Sequence, residues 1–180
     1  MAAILCCIKL NISKDKIIQS MENFQQVPGR LEKFKLNNNN FAIIDYAHSP
    51  DAYEKIFSSI KMITNKKIIS IFGCGGDRDR GKRPIMGQIA EKYSSYIYLT
   101  NDNPRFEDED GIIKDIISGF KKDRFTIIKN REEAITKVLG KYENSIVLIL
   151  GKGRESYQII ENKEEFHSDM NIIKRFLYAD

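Results

Sequence analysis

Long apolar runs are missing from this chain of 180 residues. None approaches the ~20 residues that a membrane-spanning helix requires, so no membrane partner is expected. The apolar start, Met1 to Leu10, lacks the basic residues that open a signal peptide. Cysteine is scarce as well. Cys6, Cys7 and Cys74 form an odd set without metal-ligand spacing, which favours a reduced, cytoplasmic protein with its cysteines in the core. Charge of one sign is also lacking. The 29 Lys and Arg are scattered among 25 Asp and Glu, and the net charge of +4 forms no basic stripe, so a nucleic-acid partner is not expected. No internal repeat is visible. The length suits one domain, or one domain with a remnant of another.

What is present is an alternation of strand-like and helical segments. Residues 1–26 read as two helical pieces, the second opened by Ser13 as N-cap. Val27-Pro-Gly-Arg30 then marks a boundary, and Asn37 to Asn40 reads as a hairpin tip between Leu31–Leu36 and Phe41–Asp45. Strand-like runs follow at Phe41–Asp45, Lys67–Phe72, Ser95–Thr100, Phe125–Lys129 and Ile146–Leu150. They are short and apolar on both faces, as a buried parallel sheet requires. Amphipathic segments lie between and after them: Pro50–Ile63, Pro84–Tyr93, Gly111–Phe120, Asn130–Leu139 and Asp169–Leu177. The pattern predicts an α/β, Rossmann-like domain, mostly parallel, with helices on both faces of the sheet.

In such a sheet, loops at the carboxyl ends of strands line the ligand crevice. Two of them stand out. Phe72 to Pro84 reads FGCGGDRDRGKRP, and Asp102 to Arg105 reads DNPR. Together Arg78, Arg80, Arg83 and Arg105 suit a ligand bearing carboxylates or phosphates. Gly76 to Lys82 matches the start of a nucleotide P-loop, but Arg83 stands where Ser or Thr should hold magnesium. The bland alternative is a Gly-rich turn with solvated charges. On the Pro104-stiffened turn, Asp102 or Asn103 is placed to accept from a ligand ammonium while Arg105 clamps a carboxylate, although Asx side chains often serve only their own turn. The acidic run Glu107 to Asp110 is expected to cap the next helix. Gly151-Lys-Gly-Arg-Glu155 offers close backbone approach and an acid for a second ammonium, or is simply a tight turn. His48, in DYAHSP, is a general base, a phosphate contact or a hydrogen-bonded loop histidine. His167 reads as part of a polar turn without a role.

Taken in order, VPGRLE, DYAHSPDA, FGCGGDRDRGKRP, DNPR and GKGRE resemble the C-terminal domain of the Mur ligases from Val27 to the C-terminus. Among them the chain is most similar to those adding a diamino acid to the peptidoglycan stem peptide. Residues 1–26 then resemble the helical end of that family's central ATPase domain, and 27–180 the amino-acid-binding domain. The resemblance implies an ATP- and Mg2+-dependent ligase that activates a carboxylate as an acyl phosphate and joins it to an amine. Its implied substrates are meso-diaminopimelate, or a similar diamino diacid, and a UDP-N-acetylmuramoyl-dipeptide bound by other domains.

By resemblance, Arg78, Asp102, Asn103, Pro104, Arg105, Gly151 and Glu155 belong to the amino-acid pocket, with Arg105 reading the distal carboxylate. Arg30, Asp45 and His48 are implied to reach toward ATP. No certain catalytic residue and no metal ligand falls on this segment, and without the ATPase and UDP-sugar domains of the family it is expected to be inactive alone. Arg154 and Ser49 depart from the family's usual His and Thr or Asn. Rival readings are a non-catalytic amino-acid-binding module, or a folate- or cyanophycin-type synthetase.

Overall fold

The computed structural model describes residues 2–179. Eight strands and seven helices follow one another as α1 (Ala2–Lys9), α2 (Lys14–Glu22), β1 (Glu32–Lys35), β2 (Phe41–Asp45), α3 (Pro50–Ile63), β3 (Lys67–Phe72), α4 (Lys82–Tyr93), β4 (Tyr96–Leu99), α5 (Glu109–Ile117), β5 (Phe125–Ile127), α6 (Arg131–Leu139), β6 (Ser145–Leu150), β7 (Tyr157–Ile160), β8 (Lys163–Phe166) and α7 (Asp169–Leu177). Six strands form one sheet in the order β1-β2-β6-β3-β4-β5, with β1 antiparallel to β2 and every other pairing parallel.

Alternate residues of each central strand serve opposite faces. Ile68, Phe72, Ile97, Leu99, Ile146 and Leu148 pack with Tyr53, Phe57, Met86 and Ile116 of α3, α4 and α5. Ile69, Ile71, Tyr98, Val147 and Ile149 pack with Ile135, Val138, Ile172 and Ile173 of α6 and α7. The sheet is thus covered on both sides, as its uninterrupted apolar strands demand. Burying one such side chain contributes roughly 1.5–3 kcal/mol.

Local signals start the helices. Ser49 accepts from the Ala52 amide at 3.4 Å with Pro50 in the first turn, Asn130 from Glu133 at 3.0 Å, and Ser168 from Asn171 at 3.3 Å. Ser13 occupies the N-cap position of α2 but makes no side-chain cap bond there. Strands β4 and β5 are shorter than their apolar runs suggest, because Thr100 and Ile128 lie beyond the ladder while still buried.

Three expectations are corrected, on the cysteines, His167 and the acidic run. The cysteines are not all core residues: Cys74 is buried, Cys6 is exposed and Cys7 intermediate. Helices α1 and α2 form as expected, but they bury no residue, so their apolar side chains have no core to join within the described residues. His167 is no solvated turn residue. It is buried, with Nε2 2.8 Å from Asp169, itself paired with buried Arg131. Of the acidic run, Asp108 caps α5 through the Gly111 amide, whereas Glu107 turns inward to Arg83. The hairpin of β7 and β8 carries no sequence signal of its own and lies against the DNPR turn, where Arg105 bridges Ile160.

Candidate functional site

The carboxyl ends of β2, β6, β3 and β4 open on one side of the sheet, and their loops enclose a cavity of about 270 Å³. His48, Arg78, Asp102, Asn103, Arg105, Gly151 and Glu155 all line it. Seven residues drawn from four separate motifs thus meet in one place. Pro104 lies beneath them, buried, with its carbonyl against Gly76.

Close backbone approach builds the walls. A Cβ on Gly76 would sit 1.9 Å from the Pro104 oxygen, and one on Gly73 2.0 Å from the Thr100 oxygen. Glycine alone lets the two loops touch. Arg105 has φ +53 and donates Nη1 to the Gly76 carbonyl at 2.9 Å, leaving the rest of its guanidinium at the cavity. Gly151, at φ +112, leaves room for Asp102, whose Oδ2 would lie 2.5 Å from any Cβ there.

Of the four arginines, two serve the site and two serve its frame. Arg78 is exposed at the cavity rim and Arg105 half-buried in its wall. Arg83, read from the sequence as a ligand contact, is instead fully buried between Glu107 and Asp115. Arg80 pairs with Glu107 at 3.1 Å. The Arg83 guanidinium holds the Glu107 carboxyl down at about 2.

The acids differ sharply. Asp102 has a side chain only 12% exposed, and its nearest cation, Lys152, stands 4.0 Å away. Burial raises its pKa from the ordinary value, with Lys152 and then Arg131 opposing that rise. Glu155 is bonded instead. Its Oε2 accepts from Lys152 at 3.1 Å and from the Asn103 amide nitrogen at 3.3 Å. The Asn103 oxygen accepts from Lys152 at 2.9 Å and from the Ile159 amide at 3.0 Å, so two donors fix which way the amide faces. Lys152, wholly buried, went unread in the sequence, because a lysine in a Gly-rich loop looks solvated.

A wider cleft of about 650 Å³ adjoins this cavity, sharing Tyr46 and Glu155 with it. Arg30 lies there with its guanidinium 4.6 Å from the Tyr46 ring centroid, and exposed Arg154 lines the cleft rather than the inner cavity. Burial, followed by the Glu155 charge, raises the pKa of Tyr46. Asp45 lines neither space. Its two oxygens accept from the Leu31 and Ala47 amides at 2.8 Å each, which positions the Arg30 turn. His48 bonds the Tyr46 carbonyl through Nδ1, and its own carbonyl accepts from Lys82.

The glutamate ligase domain of the Mur ligases matches residues 29–153, which include these loops except Val27, Pro28 and the last two residues of GKGRE. The chain belongs to the Mur ligase family. It is 40% identical over 180 residues to UDP-N-acetylmuramoyl-L-alanyl-D-glutamate–2,6-diaminopimelate ligase 1 of Clostridium acetobutylicum, covering 98% of this chain and 37% of that protein. The ligase so named from Prochlorococcus marinus is 42% identical over 97% of this chain and 36% of its own length. A solved structure of a UDP-N-acetylmuramoyl-L-alanyl-D-glutamate–2,6-diaminopimelate ligase superposes with a TM-score of 0.79 at 32% identity, covering 99% of this chain and 37% of that one. The chain therefore spans little more than a third of the relatives it matches. Folylpolyglutamate synthase from Thermotoga maritima, at 23% identity and a TM-score of 0.59, shares the fold.

Proposed function

We propose that this Mur ligase domain is the acceptor amino-acid site of an ATP-dependent ligase that adds meso-diaminopimelate, or a similar diamino diacid, to a UDP-N-acetylmuramoyl-dipeptide. One observation carries the reading. Asp102 is a nearly buried carboxylate with no cation closer than 4.0 Å among the described residues, and it lines the same cavity as Arg78 and Arg105. A buried acid without a close counter-charge is costly unless a ligand supplies one. An ammonium at Asp102 and a carboxylate at Arg105 are the two ends of an amino-acid head group. The relatives' names, which specify 2,6-diaminopimelate, agree with that chemistry.

In the reaction, the amine nitrogen attacks the carbonyl carbon of an acyl phosphate, a C–N bond forms, and phosphate departs with the C–O bonding pair. This chain's part is to hold the amino acid by its remote head group, so that the reacting amine reaches a fixed position. Arg30 opens on the wider cleft and is the residue we assign to ATP, with Asp45 setting its turn and His48 lining the inner cavity beside it. Among the described residues no three His, Cys, Asp or Glu side chains gather as a metal-holding group. The metal, the phosphates and the UDP-sugar are assigned to the remaining length of the ligase, and α1 and α2 to the edge of its central domain.

Calorimetric titration of the chain with meso-diaminopimelate and with lysine tests the reading. Diaminopimelate binds more tightly, and Arg105→Ala removes the difference by deleting a charge-assisted bond worth about 2 kcal/mol. Equal binding of the two by the unmodified chain contradicts the assignment of Arg105.

A further inference from the structure

Lys152 does not itself line the cavity, but it bonds two side chains that do. It is fully buried, flanked by Gly151 and Gly153, and reaches Asn103 Oδ1 at 2.9 Å and Glu155 Oε2 at 3.1 Å. Asp102 Oδ1 lies 4.0 Å away and the Tyr157 ring centroid 5.5 Å. Three polar side chains of the amino-acid pocket, Asp102, Asn103 and Glu155, are therefore arranged about one lysine.

Resting on that reading of the pocket, we propose that Lys152 is its positioning residue, a fixed counter-ion that orients Asn103 and Glu155 and offsets the charge of Asp102, leaving Asp102 ready for a substrate ammonium. The geometry separates the two acids. Glu155 is engaged by Lys152 and by the Asn103 amide, whereas Asp102 is left at a distance too long for a hydrogen bond. A lysine closer to Asp102 would fill the ammonium position itself. With no lysine, two carboxylates and no cation among the bonded groups would share the wall, and like charges at short range suppress ionisation.

Charged and titratable groups reach Asp102 from several elements, beside His48, Arg78, Lys82 and Arg105, which line the same cavity. Lys152 and Glu155 come from the loop after β6, Arg131 from α6, Asp169 from α7, Tyr53 from α3, and Cys74 from the loop after β3. Arg131 is already committed to Asp169 through Nε and Nη2 at 2.9 and 2.8 Å and to the Leu150 carbonyl at 3.0 Å. Lys152 is accordingly the cation whose loss Asp102 would feel most, and it heads the groups that oppose the raised pKa of that acid.

The test is diaminopimelate titration of the chain and of Lys152→Met at about pH 6 and pH 8, together with 13C NMR titration of the Asp102 carboxyl in the unmodified chain. The proposal expects affinity near-constant across that range in the unmodified chain, and about tenfold weaker at the lower pH in Lys152→Met, recovering as pH rises. It also expects the Asp102 carboxyl carbon to stay at its ionised shift throughout. A variant that binds like the unmodified chain at both pH values overturns the proposal, as does an equal loss at both. If the variant does not fold, the carboxyl titration decides alone: an Asp102 signal that titrates between about pH 6 and pH 8 overturns it. Failure of the unmodified chain to bind diaminopimelate would instead count against the acceptor-site reading, and the carboxyl titration would still decide the role of Lys152.

Discussion

Arg83 and Glu107 face each other through two parallel hydrogen bonds, Nη1 to Oε1 and Nη2 to Oε2, each 2.7 Å long. Arg83 stands at the start of α4 and Glu107 just past the DNPR turn, so the pair ties the two loops that wall the cavity. The Glu107 carboxylate also accepts from the Asp77 amide at 2.9 Å, and the Arg83 Nη2 also donates to the Gly75 carbonyl. Glu107→Gln keeps the shape but leaves a buried guanidinium with half its charge compensation. It is expected to lower unfolding free energy by about 3 kcal/mol, read by urea titration, and to weaken amino-acid binding. Unchanged stability would show that the pair is ornamental to the loops.

The same pair sets an acid limit. Glu107 has a folded pKa of about 2 against an ordinary value of 4.5, so its contribution is complete above about pH 4.5 and is lost as pH falls toward 2. Asp169, held low by Arg131 and His167, adds in the same direction. Urea midpoints should therefore drop steadily below about pH 4.5, and Glu107→Gln should flatten part of that slope.

Gly76 is where backbone meets backbone. Alanine there would place its Cβ 1.9 Å from the Pro104 oxygen and 2.7 Å from the Pro104 carbon, neither of which belongs to a flexible side chain. Gly76→Ala should cost about 2 kcal/mol in stability and displace DNPR enough to weaken diaminopimelate binding. A variant of full stability and affinity would mean that the loops can part without consequence.

The reach of sequence reasoning follows from where each signal resides. Helix α3 and strands β2 and β3 carry their signals locally, in a Ser-Pro start and in apolar runs bounded by turn residues, and their predicted limits agree with the structure. The cavity was legible because its residues sit in compact motifs at strand ends. The roles of Arg83, Glu107, Lys152 and His167 were not, because only long-range packing decides whether a charged or polar side chain is solvated or buried. Arg83 and Arg105 look alike in sequence, yet one braces a loop and the other faces the cavity. The β7–β8 hairpin escaped for another reason. Strand β8 is exposed throughout and lacks alternation, and its turn places Glu161 at φ +54 without a glycine.

The central claim is that the amino acid binds in the inner cavity and not in the wider cleft beside it. Amide and side-chain NMR shifts of the 15N-labelled chain, followed as meso-diaminopimelate is added, address this most directly. The account predicts that the largest shifts fall on the backbone amides of Asp102, Arg105 and Gly151 and on the Asn103 side-chain amide. Shifts confined to Arg30, Arg154, Ser156 and Tyr157, which line the wider cleft alone, would contradict it.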